Sequence, residues 1–218
     1  MENEKIIHVF SGLGADERAF CKLDFSGFEV VHIRWIAPEK DETIERYAGR
    51  LRAQIKTPNP ILLGLSFGGI MAVEVAKLMP TRKVILLSSA KNWREIPFYY
   101  RFFGALNLHK CLPSCLLTTS NLVTDWFFGV QTPEDKALLA TILRATDPVF
   151  LAWALDKIVR WKNTQAPSNL IHIHGKEDRI LPIRYVRADI SIPQGGHLMV
   201  LTHAKRISEI LARGSNML

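Results

Sequence analysis

The chain has 218 residues, which at about 150 residues per domain points to one domain, or two at most. Its composition, 48% hydrophobic and 22% charged, supplies a substantial core and excludes a disordered chain or a disulfide-dependent miniature fold. The net charge of +7 is spread out, with 12 basic and 11 acidic residues in 1–90, 9 and 6 in 91–169, and 7 and 4 in 170–218, so the clustered footprint of a nucleic-acid binder is not expected.

In chain order, short apolar and β-branched runs at Ile6–Phe10, Phe28–Ile33, Pro60–Leu65, Val84–Ser88, Leu170–His174 and, more weakly, Ala188–Ile192 read as strands. Several are apolar on both faces, which suits a parallel sheet covered on each side by helices. The helical patterns between them run Thr43–Lys56, where Ile44, Tyr47, Leu51 and Ile55 recur every three or four residues, and Gly68–Met79, stopped by Pro80. Met199–Arg213 reads as a last helix, with Gly214 as its terminator. Strand-helix alternation of this kind predicts right-handed crossovers and a doubly wound sheet.

From about Lys91 to Pro167 no good strand is found. Thr132-Pro133-Glu134-Asp135 combines an N-cap, a proline at the first helical position and acids near the positive end of the dipole; Asp147-Pro148 opens another helix toward Trp161. The expected organisation is a core of residues 1–90 and 168–218 with a helical cap, 91–167, inserted in it.

Gly64-Leu65-Ser66-Phe67-Gly68 is a Gly-x-Ser-x-Gly motif between an apolar run and a helix. A strand-to-helix turn this sharp strains the backbone at Ser66, and only small residues two positions either side avoid a clash. The hydroxyl is thereby exposed at a strand's carboxyl end, where sites of open α/β sheets form. A serine nucleophile needs a base, and the base needs a partner that fixes its tautomer. His197, after Gly195-Gly196 in a loop before the last helix, is the expected base. His203 projects elsewhere, and His8, His32, His172 and His174 lie in or at the ends of strands. The acid is sought in the loop His174 to Pro182, with Asp178 chosen and Glu177 the competitor; the order Ser66, Asp178, His197 is nucleophile, acid, base. Oxyanion donors are expected from the N–H of Phe67 and, in the loop Ser11-Gly12-Leu13-Gly14, from Leu13. No dinucleotide fingerprint, Walker loop, His-Glu-x-x-His or cysteine cluster is present, so neither a metal nor a cofactor is expected.

The elbow around Ser66, the Gly-x-x-Asp pattern of Gly175 to Asp178 followed by Pro182, and Gly-Gly-His at Gly195 to His197 together resemble the α/β-hydrolase superfamily over nearly the whole chain apart from the cap. The resemblance implies acyl transfer through a covalent intermediate on Ser66, with His197 as general base and Asp178 as orienting acid. It also implies a sheet in which the strand from Phe28 lies outside the strand from Ile6. The chain begins at what would be the family's third strand, so a reduced sheet of about six parallel strands is expected. Two departures stand out: the loop that often begins His-Gly begins Ser11-Gly12, and Arg34 to Pro38 lacks the usual Asp-x-Pro-Gly turn.

Aromatic residues crowd the cap: Trp93, Phe98, Tyr99, Tyr100, Phe102, Phe103, Trp126, Phe127 and Phe128. Most are expected to bury the cap against the core, and together they suggest an apolar pocket over Ser66. Gly12, Trp126 and Trp153 are the expected substrate contacts, while Arg94, Arg101, Lys110, Arg144 and Arg160 suggest an anionic leaving group such as an acidic thioester. The function expected is hydrolysis of an ester or thioester of a small, partly apolar molecule. The alternatives are carbon–carbon hydrolysis or lyase chemistry on the same triad, or a binding protein on a hydrolase scaffold. The expected partner is a small-molecule substrate, with no nucleic acid and no membrane, and a homodimer is allowed. Cys21, Cys111 and Cys115 read as reduced thiols; with no signal-peptide pattern and no apolar run of spanning length, a cytoplasmic protein is expected.

Overall fold

The computed structural model describes residues 5–13, 15–108 and 119–215. Strands β1 (Lys5–Phe10), β2 (Phe28–Ile33), β3 (Ile61–Leu65), β4 (Lys83–Leu87), β5 (Leu170–Gly175) and β6 (Ile190–Ile192) form a six-stranded sheet in the order β2-β1-β3-β4-β5-β6. Every pairing is parallel. β3 is buried throughout, as a strand covered on both faces must be. The chain leaves β1 for one edge, returns to β3 on the other side and continues outward. A crevice therefore opens at the carboxyl ends of β1 and β3, the switch point of the winding. The register sets Phe10 beside Gly64 and Leu65 beside Leu87, so Ser66 and Ser88 leave the sheet at one level and Ser11 one residue earlier.

Helix α1 (Ile44–Arg52) starts where the Thr43 side chain accepts the Arg46 N–H and buries Ile44, Tyr47, Ala48 and Leu51 on one face. It stops short of the expected Lys56, the chain turning tightly through Ala53 to Ile55. Helix α2 (Phe67–Ala76) is buried around nearly its whole circumference, the mark of a core helix. It starts at Phe67, directly after Ser66 and one residue before the expected Gly68, and ends before Lys77 rather than at Met79. These two helices cover one face of the sheet.

The other face is covered partly by a C-terminal helix pair. Instead of one helix from Met199 there are α7 (Met199–Thr202) and α8 (Ala204–Ser215), because the His203 backbone (φ −129°, ψ 29°) leaves the helical region. Gly214 lies inside α8 and does not terminate it.

The insertion between β4 and β5 is helical: a 3-10 turn at Trp93–Glu95, then α3 (Phe98–Ala105), α4 (Leu122–Phe128), α5 (Pro133–Arg144) and α6 (Pro148–Val159). Its starts at α5 and α6 are those expected, with Thr132 and Asp147 capping and a proline at the first position of each. Two indole N–H groups fasten the insertion to the core, Trp161 donating to Glu74 Oε1 at 2.8 Å and Trp153 to the Glu42 carbonyl at 3.1 Å. Leu139, Ile142 and Leu143 join the apolar cluster on one face, and Phe150, Ala154 and Trp161 the cluster on the other. Cys111, Cys115, His109 and Lys110 lie outside the described residues.

Candidate active site

Ser66 sits at φ 53°, ψ −121°, a conformation disfavoured for a residue with a side chain and sustained only where its surroundings enforce it. The enforcement is visible. Its N–H donates to the Leu87 carbonyl at 2.9 Å, and its carbonyl accepts the Ser89 hydroxyl at 2.6 Å. A Cβ on Gly64 would stand 2.4 Å from the Gly68 carbonyl oxygen, and one on Gly68 would stand 2.2 Å from that of Ser11. The two motif glycines therefore permit backbone-to-backbone approach on either side of the serine.

Asp178 and His197 are carried to Ser66 by a second close approach. Gly175 and Gly195 pack so tightly that a Cβ on Gly175 would lie 2.2 Å from the Gly195 carbonyl oxygen, which also accepts the Glu177 N–H at 2.9 Å. Gly195 and Gly196 are buried packing residues: Gly196 meets Gly129, and the Leu198 N–H donates to the Phe128 carbonyl at 3.0 Å.

The three side chains form a chain of hydrogen bonds. Asp178 Oδ1 accepts the N–H groups of Ile180 and Leu181 at 2.9 and 2.8 Å, and Oδ2 lies 2.8 Å from His197 Nδ1. Burial alone would raise the Asp178 carboxyl, but its electrostatic interaction and hydrogen bond with His197, together with His174 and the Leu181 N–H, outweigh burial and hold the group below its ordinary value. An ionised Asp178 only accepts, so the His197 proton resides on Nδ1. The bare Nε2 then accepts from Ser66 Oγ at 2.8 Å. Asp178 and His197 are almost fully buried, and the His197 ring packs edge-on against Phe128. Glu177 is exposed, and His203 bonds Thr202 instead.

The N–H groups of Leu13 and Phe67 donate to no acceptor among the described residues. Phe67 opens a helix whose first N–H groups lack intrahelical partners, and Leu13 follows β1 next to the serine. The loop's support comes from a source absent in the sequence reading. Ser11 Oγ donates to the Ala15 carbonyl at 2.6 Å and accepts Trp35 Nε1–H at 2.9 Å, so a hydroxyl and an indole brace the turn where a histidine is common in the superfamily. Gly12 stands against Ser66, a Cβ there lying 3.5 Å from the serine Cβ; Gly14 lies outside the described residues.

The adjoining crevice, open to solvent, is lined by Leu13, Ala15 and Leu65 from the core and by Phe128, Leu139, Ile142 and Leu143 from the insertion, with Ser66 and His197 in its wall. Among the described residues no charged side chain lines it. Two expected substrate contacts are displaced from it. Trp126 is exposed, beneath the Arg179 guanidinium at 4.4 Å. Trp153 packs at a tilt against Tyr47, with ring centroids 4.4 Å apart, and gives its N–H to the core. Of the crowded cap aromatics only Phe128 reaches the pocket; Phe98, Phe102, Phe103 and Phe127 are exposed. The described basic residues also miss it. Arg94 and Arg101 lie over Trp93, Arg160 binds Asp156 and Asn107, and Arg144 is exposed at the end of α5. Proximity in sequence marked these side chains, but none of them lines the crevice beside Ser66. Among the described residues no cluster of three or more His, Cys, Asp or Glu side chains forms a metal-ligand set.

The sequence matches the alpha/beta hydrolase family over residues 9–210, and no curated protein matches it. Solved structures share the fold at low identity. An esterase from Exiguobacterium antarcticum superposes with a TM-score of 0.71 at 14% identity, covering 98% of this chain and 92% of that one. The enol-lactonase from Burkholderia xenovorans gives 0.67 at 17%, covering 97% and 91%. A thermophilic esterase from Thermogutta terrifontis gives 0.66 at 17%, covering 97% and 89%. The chain belongs to the alpha/beta hydrolase family.

Proposed function

We propose that this alpha/beta hydrolase cleaves carboxylic esters or thioesters with a small apolar acyl group, through an acyl-enzyme on Ser66. The carrying observation is the bonded series from Ser66 Oγ through His197 to Asp178, each link 2.8 Å, beside two N–H groups without an acceptor among the described residues.

The steps follow from the tautomer. His197 Nε2 takes the Ser66 proton as Oγ attacks the acyl carbon, and Asp178 stabilises the resulting imidazolium. The carbonyl oxygen gains negative charge in reach of the Leu13 and Phe67 N–H groups. When the intermediate collapses, the bond to the leaving oxygen or sulfur breaks and the imidazolium protonates that group. Water then repeats the cycle, giving its proton to Nε2 and releasing a carboxylic acid. The apolar lining supports an uncharged acyl portion and gives no support to an anionic group beside the serine.

The test is hydrolysis of p-nitrophenyl esters from acetate to octanoate and of matched thioesters, with Ser66→Ala as blank. Turnover of short acyl chains, abolished in the variant, is expected. No turnover of any acyl donor by folded protein would turn the reading toward lyase or carbon–carbon chemistry.

A further inference from the structure

Behind the acid lies a buried group that the proposed chemistry leaves unused. Two histidines alternate along β5, so both point to one face, and both are fully buried. His174 Nε2 is 2.7 Å from the Leu181 carbonyl and 3.3 Å from Asp178 Oδ2, the carboxylate oxygen that binds His197. His174 Nδ1 is 3.3 Å from His172 Nε2, and His172 Nδ1 lies 3.9 Å from Glu95 Oε2.

We infer that His174 is a positioning residue for the candidate triad, its tautomer set by the Leu181 carbonyl and matched by His172, and that it steadies Asp178 beside the oxygen that binds His197. This rests on the acyl-transfer reading of Ser66. A carbonyl accepts only, so the His174 proton resides on Nε2, aimed at Leu181 with Asp178 beside it. The ring is neutral, because burial pushes it below the ordinary histidine value. Its Nδ1 then has a lone pair, which only an Nε2–H on His172 can satisfy. Burial pushes His172 down to about 3, so that ring is neutral as well and donates. Asp178 thus has three hydrogen-bond donors, Ile180 and Leu181 on Oδ1 and His197 on Oδ2, and the His174 Nε2–H that binds Leu181 stands 3.3 Å from Oδ2 and adds its dipole there. A carboxylate so surrounded cannot rotate as His197 gains charge, and part of its negative potential is spent on His174.

Other titratable groups around this chain are Tyr99 and Tyr100 on α3, both in electrostatic reach of Asp178, and Lys91 and Arg187, in reach of His172 and Glu95 respectively. On the acid loop itself Glu177 is exposed and Arg179 turns to the Trp126 carbonyl.

The experiment measures the rate constant of fluorophosphonate labelling from pH 4.5 to 9 in native protein, His174→Phe, His174→Gln and His172→Phe. Loss of the donor in His174→Phe leaves more negative potential at His197, so the midpoint of the acid limb should rise by about half a unit while the plateau falls about tenfold. Gln, whose amide can reach Leu181, should restore the native midpoint. His172→Phe should give a smaller shift in the same direction. A purely structural histidine would lower the folded fraction without moving the midpoint. Native protein ¹⁵N-labelled in histidine supplies an arm independent of variant folding: both rings should carry their proton on Nε2 at neutral pH. A native midpoint in folded His174→Phe, or an Nδ1-protonated His174, overturns the inference. Native protein that is never labelled defeats the reading of Ser66 instead, and the NMR arm still decides the tautomers.

Discussion

Replacing Ser11 by alanine removes one buried hydroxyl and orphans two partners, the Ala15 carbonyl and the Trp35 indole N–H. Leaving a buried polar group unpaired costs about 1–3 kcal/mol. Ala15 and Trp35 are half-buried and water can partly replace the lost bonds, so the low end applies and the total comes to about 2 kcal/mol. Trp35→Phe removes only the indole bond and leaves Ser11 donating to Ala15. In the double variant that indole bond is lost only once, so the two single costs should exceed the double by about 1 kcal/mol. Catalysis should suffer separately. The braced turn carries Leu13, and removal of a whole oxyanion donor costs about 10²–10³ in rate; loosening it should cost about tenfold in kcat with little change in KM. Urea unfolding and p-nitrophenyl acetate hydrolysis measure the two effects. Additive stabilities together with native kcat in Ser11→Ala would refute the bracing argument.

At the elbow, Gly68→Ala places a Cβ 2.2 and 2.3 Å from the Ser11 and Phe10 carbonyl oxygens. Backbone must move, so urea unfolding should show a loss of about 3 kcal/mol or more, with labelling of Ser66 abolished. In the pocket, Leu143→Ala should cost about 2–3 kcal/mol and raise the hexanoate-to-acetate ratio of kcat/KM about tenfold, because its side chain lines the wall opposite the core residues. Acid should destabilise the fold early. His172 falls from 6.5 to about 3 on folding, and His8 and His174 also fall. The unfolded chain therefore binds more protons between about pH 6.5 and 3, and stability drains across that window by a few kcal/mol. Asp178, held below 3.8, adds its loss at lower pH. Glu95, raised by burial, acts in the opposite sense above its ordinary value of 4.5. Thermal melts at pH 7.5 and 5 should show the fall.

The sheet was legible because β3 and β4 are apolar on both faces and the glycines of the elbow announce a turn that few other sequences need. The order of Ser66, Asp178 and His197 was legible for the same reason, since each follows a strand in a loop marked by glycine. What the sequence hid was direction. Trp126 and Trp153 carry the right chemistry, but a helix displays its side chains around a full circle, and packing alone decides which arc faces the serine. The Ser11–Trp35 bond joins residues 24 apart in sequence, across two strands, with no local signal. The His-x-His alternation of His172 and His174 did place both rings on one face, yet their contact with Asp178 depends on how the chain turns after Gly175. His203 shows the limit at helix ends, where one backbone rotation splits a continuous apolar pattern.

The most direct test of the account is site-resolved mass spectrometry of the protein after reaction with a fluorophosphonate. Native protein should take up one equivalent, located on Ser66, and Ser66→Ala and His197→Ala should take up none while remaining folded. Folded native protein that stays unmodified, or an adduct on a different residue, would contradict the claim that Ser66 is an activated nucleophile.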